Sequence, residues 1–373
     1  MRVAVDTLFE TPGAGTGGMT YLTSLISAAP AVLGDDSLVA LCSDANRTYF
    51  ESVAGIDLVR AGWSNENRLG RILSQQLLLD RVAHRNGCDV LLGAGNSVPL
   101  GGTIPSVVVL HSLQWLFDPA QVGAVRSTYR RFAVEASCHR ASRIIAVSQY
   151  LADVLVEWRP QFGEKVRTVL EGVDTGYGDS ATSTYDPYDS VHAAGGSVIL
   201  FASTLWPYKN LDVVLRALAR LEGASDPRLY ICGGDYRGES RRLRALSESL
   251  GVSNRVTFLG HVPQSQMPAM YSWADVFVYP SRCESFGLPI LEAMSCGTPV
   301  VAANTSSIPE VSANAAMLFE PGDFETLAAQ LQFILSNEKA RTSLEVRGLK
   351  RAADLTWERT AADTLAVLRE VLS

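Results

Sequence analysis

Short apolar runs alternate with longer amphipathic stretches along the whole of this chain. The runs are nearly continuous in Val, Ile and Leu, as expected of strands that are buried on both faces of a sheet. Such strands, separated by helical stretches, are typical of parallel sheets joined by crossover helices. The clearest strands of the first half are RVAVDTL, SLVALCS, DVLLGAG, SVVVLHS and RIIAVS, and a helix over residues 20–29 is predicted after the first of them. The alternation therefore predicts a doubly wound α/β sheet.

The alternation is interrupted once and then restarts. Residues 176–196 are rich in Gly, Ser, Thr, Asp and Pro and lack a helical period, which is typical of a linker. The strands that follow are SVILFAS, RLYICGG, RVTFLGH, DVFVYPS and TPVVAAN. The helices predicted among them cover residues 211–221, 239–250, 264–273 and 289–296. A second doubly wound sheet is therefore predicted.

The length of the chain fits two such sheets in two domains. At 373 residues it exceeds the size at which one hydrophobic core usually keeps growing. We predict an N-terminal domain over residues 1–176, a linker over 177–196 and a C-terminal domain over 197–356. The last stretch, residues 357–373, is predicted to form an amphipathic helix that packs back toward the N-terminal domain.

Composition excludes several classes of protein. The 47% of hydrophobic and 19% of charged residues are typical of a soluble globular protein. The net charge of −7 argues against broad nucleic-acid binding, which needs a basic surface. The six cysteines are scattered without a CxxC pair, and Asp6 and Glu10 interrupt the apolar core that an export signal would need. We therefore expect a cytoplasmic protein.

The stretch CESFGLPILEAMSCGTPVV places two carboxylates, Glu284 and Glu292, eight positions apart around a glycine turn. Proline at a first helical position and glycine just past the last one predict the helix over 289–296, which puts Glu284 in a loop and Glu292 inside the helix. The N-terminus of a helix favours negative charge, and carboxylates accept hydrogen bonds from hydroxyl groups. The stretch therefore suits a ligand that carries both negative charge and hydroxyl groups, such as a sugar nucleotide.

Other candidate residues follow predicted strands. Ligands of doubly wound sheets bind outside the carboxyl ends of the strands. His111 stands at the end of SVVVLHS, Lys209 follows SVILFAS, and a glycine-rich loop over residues 13–18 follows RVAVDTL. Glycine-rich turns are common and this one does not match GxGxxG, and a lone His or Lys is more often structural or solvated, so each of these signals is weak by itself.

Together these segments resemble a known family, the retaining GT-B glycosyltransferases of family 4 (glycosyl transferases group 1). FASTLWPYKNLDVVLRAL is similar to the family's Lys-Asn segment, and the stretch from GHVPQ to VVAAN is similar to its EX7E block. TPGAGTGGMTYLTSL and VVVLHSLQWLFDP resemble its glycine loop and its His-bearing loop. The resemblance covers most of the chain. It implies two Rossmann-like doubly wound domains that face a central cleft, the first binding an acceptor and the second a nucleotide sugar.

The resemblance also implies roles for single residues. Three would be catalytic: Lys209 would neutralise the leaving diphosphate, Glu284 would hold sugar hydroxyls, and His111 would position the sugar and stabilise positive charge on its ring. Glu292 would accept hydrogen bonds from the ribose hydroxyls. The full set of implied substrate-binding residues is Gly17, Gly18, Asn210, Val262, Ser285, Phe286, Gly287, Leu288 and Glu292.

The reaction implied is transfer, with retention, from a nucleotide-diphosphate sugar of the GDP-mannose or UDP-hexose type. The acceptor would be a hydroxyl of a saccharide, a lipid-linked or a small-molecule substrate, and no cofactor is implied beyond the donor. No DxD sequence occurs, so metal independence is predicted. Two alternatives stay open: a glycoside hydrolase that uses Glu284 and Glu292 as acid and base, and a non-catalytic nucleotide-sugar-binding subunit.

The sequence departs from the family pattern in two places, and it also contains one basic helix. Tyr208 and Ser203 stand where the family usually carries an Arg, so one phosphate-binding cation is missing, and Glu171 replaces a commoner Asn. A predicted helix also carries five arginines beside Tyr129 and Phe132, namely Arg126, Arg130, Arg131, Arg140 and Arg143. It suits peripheral contact with anionic lipid at the inner face of a membrane, although a solvated basic face explains it equally well.

Overall fold

The computed structural model describes residues 1–9, 17–61, 68–116, 123–174, 177, 196–221 and 227–373. They form two compact units. Unit 1 contains Met1–Gly172 and Trp357–Ser373, and unit 2 contains Val173–Thr356. Of the predicted linker, all residues except 177 and 196 lie outside the described part of the chain.

Each unit is built on one parallel sheet. The strands of the described residues are β1 Arg2–Asp6, β2 Ser37–Cys42, β3 Asp57–Arg60, β4 Val90–Gly93, β5 Ser106–Leu110, β6 Arg143–Ala146, β7 Val166–Thr168, β8 Val198–Ala202, β9 Arg228–Cys232, β10 Val256–Gly260, β11 Val276–Tyr279, β12 Val300–Ala303 and β13 Ala316–Phe319. Their order is β3-β2-β1-β4-β5-β6-β7 in unit 1 and β10-β9-β8-β11-β12-β13 in unit 2. The strand order therefore reverses between β1 and β4 and between β8 and β11. These are the switch points where ligands of such sheets bind.

Helices cover the sheets. They are α1 Gly17–Ala28, α2 Arg68–Leu77, α3 Leu79–Arg85, α4 Ala124–Arg140, α5 Gln149–Trp158, α6 Leu211–Leu218, α7 Glu239–Ser249, α8 Met267–Trp273, α9 Leu288–Ser295, α10 Ile308–Ser312, α11 Phe324–Ser336, α12 Glu338–Asp354 and α13 Trp357–Glu370. In unit 1, α13 packs against α1, where the Trp357 ring meets the Tyr21 ring edge-on at 5.7 Å, and Thr360 Oγ1 donates to Leu170 O at 2.8 Å. Among the described residues, no helix is long and apolar enough to cross a membrane.

The ten predicted strands are all present, whereas β3, β7 and β13 were not predicted. Each of these three lies at an edge of its sheet and is only partly buried. An edge strand needs no continuous apolar run because part of it faces solvent. The apolar pattern that identifies central strands is therefore absent from these three.

Several helix predictions need correction. The helix predicted over 20–29 begins earlier, at Gly17, and the helix predicted over 211–221 ends earlier, at Leu218. The helix predicted over 264–273 begins with a short 3₁₀ turn, Gln264–Gln266, before α8. The basic helix was predicted to include Arg143, but α4 ends at Arg140 because Ala141 takes an extended backbone conformation. Arg143 instead begins β6, where it pairs with Val107 of β5.

Candidate functional site

The glycine turn of unit 2 places Glu284 and Glu292 as the sequence predicts. Gly287 has a φ of 115°, a conformation that side-chain-bearing residues rarely adopt, and α9 begins at the next residue with Pro289 in its first turn. The predicted end of this helix is displaced by one residue, because Cys296 caps it and Gly297 follows with a φ of 73°. Glu284 therefore lies in the loop after β11, and Glu292 lies in the second turn of α9.

The loop that carries Glu284 is held by serine hydroxyls. Ser306 Oγ accepts from Glu284 N at 2.9 Å. Ser307, which is fully buried, donates through its Oγ to Glu284 O at 3.0 Å and to Phe286 O at 2.7 Å. Because these bonds fix the loop through its main chain, the side chains of Glu284 and Ser285 and the amide groups at the start of α9 are displayed on a rigid frame.

Lys209 and Glu284 form a buried ion pair at the switch point of unit 2. Lys209 ends a 3₁₀ turn, Pro207–Lys209, that follows β8, and Glu284 follows the neighbouring strand β11. Lys209 Nζ donates to Glu284 Oε1 at 2.6 Å and to the Tyr279 hydroxyl at 2.9 Å. Only 6% of Lys209 and 8% of Glu284 are exposed. Burial and the nearby charge of Glu284 raise the pKa of Tyr279 well above its usual value, so this tyrosine stays a neutral hydrogen-bonding partner.

Asn210 fixes the segment beside Lys209. Its backbone is left-handed, with a φ of 59°, which asparagine tolerates better than most residues. Its Nδ2 donates to Pro321 O at 2.6 Å and to Pro280 O at 3.2 Å. Because both acceptors are main-chain carbonyls, the side chain of Asn210 in this structure ties loops together and orients Lys209.

Glu292 is surrounded by phenol and amide donors. The Tyr271 hydroxyl donates to Glu292 Oε2 at 2.8 Å, and Gln264 Nε2 lies 3.4 Å from Oε1. Gln264 also donates to the hydroxyl of Tyr177. Burial raises the pKa of the Glu292 carboxyl, while the hydrogen bonds from Tyr271 and Gln264 act in the opposite direction. Val262 lies on the same loop as Gln264, two residues after β10.

His111 follows β5 in unit 1, as predicted, and both of its ring nitrogens face acceptors. Nε2 lies 2.7 Å from Ala94 O, and Nδ1 lies 3.5 Å from Glu171 Oε1. The main-chain N of His111 donates to Asn96 Oδ1 at 2.8 Å, and the Tyr21 ring meets the imidazole edge-on at 4.5 Å. The ring is therefore held on several sides by its own unit.

The glycine loop of unit 1 is described only at its end. Gly17 and Gly18 are the first residues of α1, and a side chain at Gly17 would meet nothing within 4 Å. The remaining residues of the loop, 13–16, lie outside the described residues. Just before it, Asp6 ends β1 at the switch point, where burial raises the pKa of its carboxyl to about 6.

Sequence reasoning missed several residues that complete these arrangements. Tyr271, Tyr279 and Gln264 contact the predicted carboxylates or Lys209, and Glu171 contacts His111. Only Glu171 carried a signal, as a departure from the family pattern, and the other three look like ordinary strand and helix residues. In the part of the chain that the structure describes, no group of three or more His, Cys, Asp or Glu side chains is arranged to hold a metal ion.

The geometry of unit 2 suits an anionic ligand rich in hydroxyls. A buried lysine supplies positive charge, the loop before α9 brings main-chain amide groups to the positive end of that helix, and Glu284 and Glu292 are hydrogen-bond acceptors. Two family models match the chain: residues 16–177 match Glycosyltransferase Family 4, and residues 187–351 match Glycosyl transferases group 1.

Individual proteins are similar as well. The chain is 29% identical over 262 residues to the O-antigen chain mannosyltransferase B of Escherichia coli. The aligned region covers 70% of this chain and 69% of that protein. The chain spans about half the length or less of several other curated relatives that it matches.

Among solved structures, the chain is similar to the sucrose-phosphate synthase from Thermosynechococcus elongatus, with a TM-score of 0.80, 21% identity and coverage of 100% of this chain and 99% of that one. It is also similar to HepE of Anabaena in complex with UDP and glucose, with a TM-score of 0.75, 21% identity and coverage of 99% and 100%. These neighbours confirm the predicted GT-B fold class.

Proposed function

Because this chain belongs to the group 1 glycosyltransferases of family 4, we propose that it transfers a sugar, with retention and without a metal ion, from a nucleotide-diphosphate sugar to an acceptor hydroxyl. The observation that carries the proposal is the buried pair of Lys209 and Glu284 beside the start of α9. A lysine that is buried against a single carboxylate can exchange that partner for the diphosphate of a ligand. Glu284 is then released to accept hydrogen bonds from sugar hydroxyls.

The other residues of unit 2 are assigned along the length of the donor. The amides of Phe286, Gly287 and Leu288 face the sugar and diphosphate at the positive end of α9. Glu292 accepts hydrogen bonds from the ribose hydroxyls, and the loop that carries Val262 contacts the base. In unit 1 we assign His111, Gly17 and Gly18 to the transferred sugar. These three lie at the carboxyl edge of their own sheet.

The transfer step develops negative charge on the leaving diphosphate and positive charge on the ring of the transferred sugar. The bond between the anomeric carbon and the diphosphate oxygen breaks, and a bond from the acceptor oxygen to that carbon forms on the same face. The acceptor proton passes to the leaving phosphate, so Glu284 orients the sugar and does not attack it. Lys209 and the amides of α9 stabilise the negative charge that develops on the diphosphate, which is the part of the transition state that preorganised donors stabilise most.

Related proteins support the choice of donor. One relative is named a mannosyltransferase, and HepE is described in complex with UDP and glucose. We therefore propose GDP-mannose or a UDP-hexose as donor, and a saccharide, lipid-linked or small-molecule hydroxyl as acceptor.

A thermal-shift screen of nucleotide sugars tests donor binding. A ligand present at a hundredfold its dissociation constant adds about 2.7 kcal/mol to the free energy of unfolding, so a true donor gives a clear rise in Tm. We expect GDP-mannose or a UDP-hexose to raise the Tm, and the same compound to lose its sugar when acceptors are added. Product NMR should show the anomeric configuration of the donor, and EDTA should leave the rate unchanged.

The alternatives predict other outcomes of the same screen. If no nucleotide sugar raises the Tm while a simple glycoside is cleaved, the protein is a hydrolase. Should a nucleotide sugar bind and never be cleaved with any acceptor tested, the protein is a binding subunit. Either result would overturn the proposed function.

We further propose that one face of unit 1 contacts a membrane surface. Leu69, Leu73 and Leu77 recur every four residues on α2, and the first of them is 71% exposed. On α4, Phe132 is 68% exposed and Tyr129 is also exposed, beside the basic residues Arg126, Arg130 and Arg131. We call these side chains of α2 and α4 the apolar-basic face.

The two helices flank one loop. Gln76 Nε2 of α2 donates to Val98 O at 3.2 Å, and Ser137 Oγ of α4 accepts from Val98 N at 3.3 Å. The loop itself adds Leu100, which is exposed. Exposed leucine and aromatic side chains next to arginines match an anionic lipid surface, because the apolar groups enter the interface while the arginines meet lipid phosphates.

Vesicle sedimentation tests this contact. We expect the protein to sediment with vesicles that contain phosphatidylglycerol and to remain in solution with pure phosphatidylcholine vesicles. The double substitution Leu69→Ser/Leu73→Ser should lower the bound fraction at least about tenfold, since each leucine loses most of its transfer free energy. As a control, Val346→Ser/Leu349→Ser removes similarly exposed apolar groups from α12 in unit 2. Equal losses in the two double variants would contradict the proposal.

A further inference from the structure

Glu171 is a buried carboxylate whose role the proposed function does not explain. It lies in the loop after β7, only 6% of it is exposed, and it stands where the family commonly has Asn. Among the described residues, His111 is the only basic side chain within 4 Å of this carboxylate, at 3.5 Å from Nδ1 to Oε1. A buried carboxylate is costly unless a positive charge or hydrogen bonds compensate it. Glu171 therefore depends on His111 more than an exposed acid would.

The hydrogen-bonding options of the His111 ring are restricted by its surroundings. Ala94 O, at 2.7 Å from Nε2, is a carbonyl oxygen and can only accept, so Nε2 carries a proton. Nδ1 then faces the carboxylate of Glu171, which is also an acceptor when ionised. Nδ1 and Oε1 form a hydrogen bond when one proton lies between them, on the ring or on the carboxyl, and such a bond fixes the orientation of the ring.

Tyr21 is the other described titratable residue that contacts this pair. Its ring meets the imidazole edge-on, and burial, followed by the charge of Glu171, raises the pKa of its phenol, which stays neutral. Among the described residues, His111 is therefore the side chain that holds the Glu171 carboxylate.

We propose that Glu171 is a positioning residue for His111, holding the imidazole from its Nδ1 side so that Nε2 is the atom that exchanges Ala94 O for a substrate oxygen. The second half of this statement rests on the proposed function, since it requires His111 to contact the transferred sugar. The first half concerns only the ring and its two protein acceptors. The two halves can therefore be tested separately.

NMR of the imidazole nitrogens tests the pairing without any substrate. In protein labelled with ¹⁵N-histidine, the signals of His111 are identified by their loss in His111→Gln. We expect Nε2 to show the shift of a protonated nitrogen in both the unaltered protein and Glu171→Gln. The shift of Nδ1 should differ between the two proteins, because Nδ1 faces a carboxyl group in one and a carboxamide in the other. Identical His111 spectra in the two proteins would overturn the pairing.

A double-mutant cycle tests the positioning role once a donor and an acceptor are known. We expect Glu171→Gln to lower kcat by about 10- to 100-fold with little change in KM, as misplacement of a site residue does. If Glu171 acts through His111, Glu171→Gln/His111→Gln should be no slower than His111→Gln alone. Additive losses would show that Glu171 acts by another route.

Controls separate positioning from folding and from failure of the proposed function. Glu164→Gln changes an exposed carboxylate before the same strand β7 and should leave both the spectra and kcat unchanged. Circular dichroism confirms that each variant is folded. If the unaltered protein transfers no sugar, the proposed function fails, while the NMR comparison still decides the pairing.

Discussion

Replacing Lys209 with methionine is expected to lower the rate of sugar transfer by about 10²- to 10³-fold, because the variant loses the buried charge that stabilises the leaving diphosphate. Lys209 is 6% exposed and donates to Glu284 Oε1 at 2.6 Å, so the charge that the substitution removes is a buried one held beside the site. The measurement is kcat with the donor found by the thermal-shift screen. Lys350→Met, which removes an exposed lysine from α12, is the matched control.

The same substitution has a stability effect that must be separated from catalysis. Removing one member of a buried pair leaves Glu284 uncompensated, which costs about 3–5 kcal/mol and lowers Tm by about 10 °C. The double variant Lys209→Met/Glu284→Leu removes both charges and should regain most of that stability, because replacing a buried pair with apolar groups is often neutral. It should remain inactive. If the single variant, corrected for its folded fraction, transfers sugar at the normal rate, Lys209 has no catalytic role.

Glu292→Gln is expected to weaken donor binding by about 10- to 100-fold, since hydrogen bonds to a charged group contribute about 1.5–3 kcal/mol. Because Glu292 is assigned to ribose, the loss should be the same for the nucleoside and for its diphosphate. Lys209→Met should instead weaken only the diphosphate. Isothermal titration calorimetry with both ligands separates the two roles, with Glu248→Gln on α7 as an exposed control. A loss confined to the diphosphate in Glu292→Gln would contradict the ribose assignment.

The Glu292 prediction also has a pH dependence with a defined sign. Burial raises the pKa of this carboxyl above its ordinary value of 4.5. Protonation removes the negative charge and turns one of the two acceptor oxygens into a donor, so donor affinity should weaken as the pH falls through that raised pKa. The affinity of Glu292→Gln should stay level over the same pH range. A parallel decline in both proteins would mean that another group titrates.

Much of the local structure could be predicted from the sequence. The apolar runs identified the central strands because both of their faces are buried, and Pro289 and Gly297 marked the ends of α9 because their backbone preferences act within one turn. The positions of His111, Lys209, Glu284 and Glu292 relative to strands and helices followed from the same patterns. Three of the four described edge strands, β3, β7 and β13, escaped detection because they are only partly buried and show no long apolar run, whereas the edge strand β10 was predicted.

What the side chains contact was decided only by the tertiary structure. Lys209 and Glu284 are 75 residues apart in the chain and meet because β8 lies beside β11 at the switch point. His111 and Glu171 meet because β6 alone separates the strands that precede them. A sequence pattern records the burial of each residue along its own strand or helix, whereas the order of strands in a sheet arises from crossovers that no local pattern encodes. The sequence by itself therefore determined which residues stand at the carboxyl edges, and the fold determined which of them are partners.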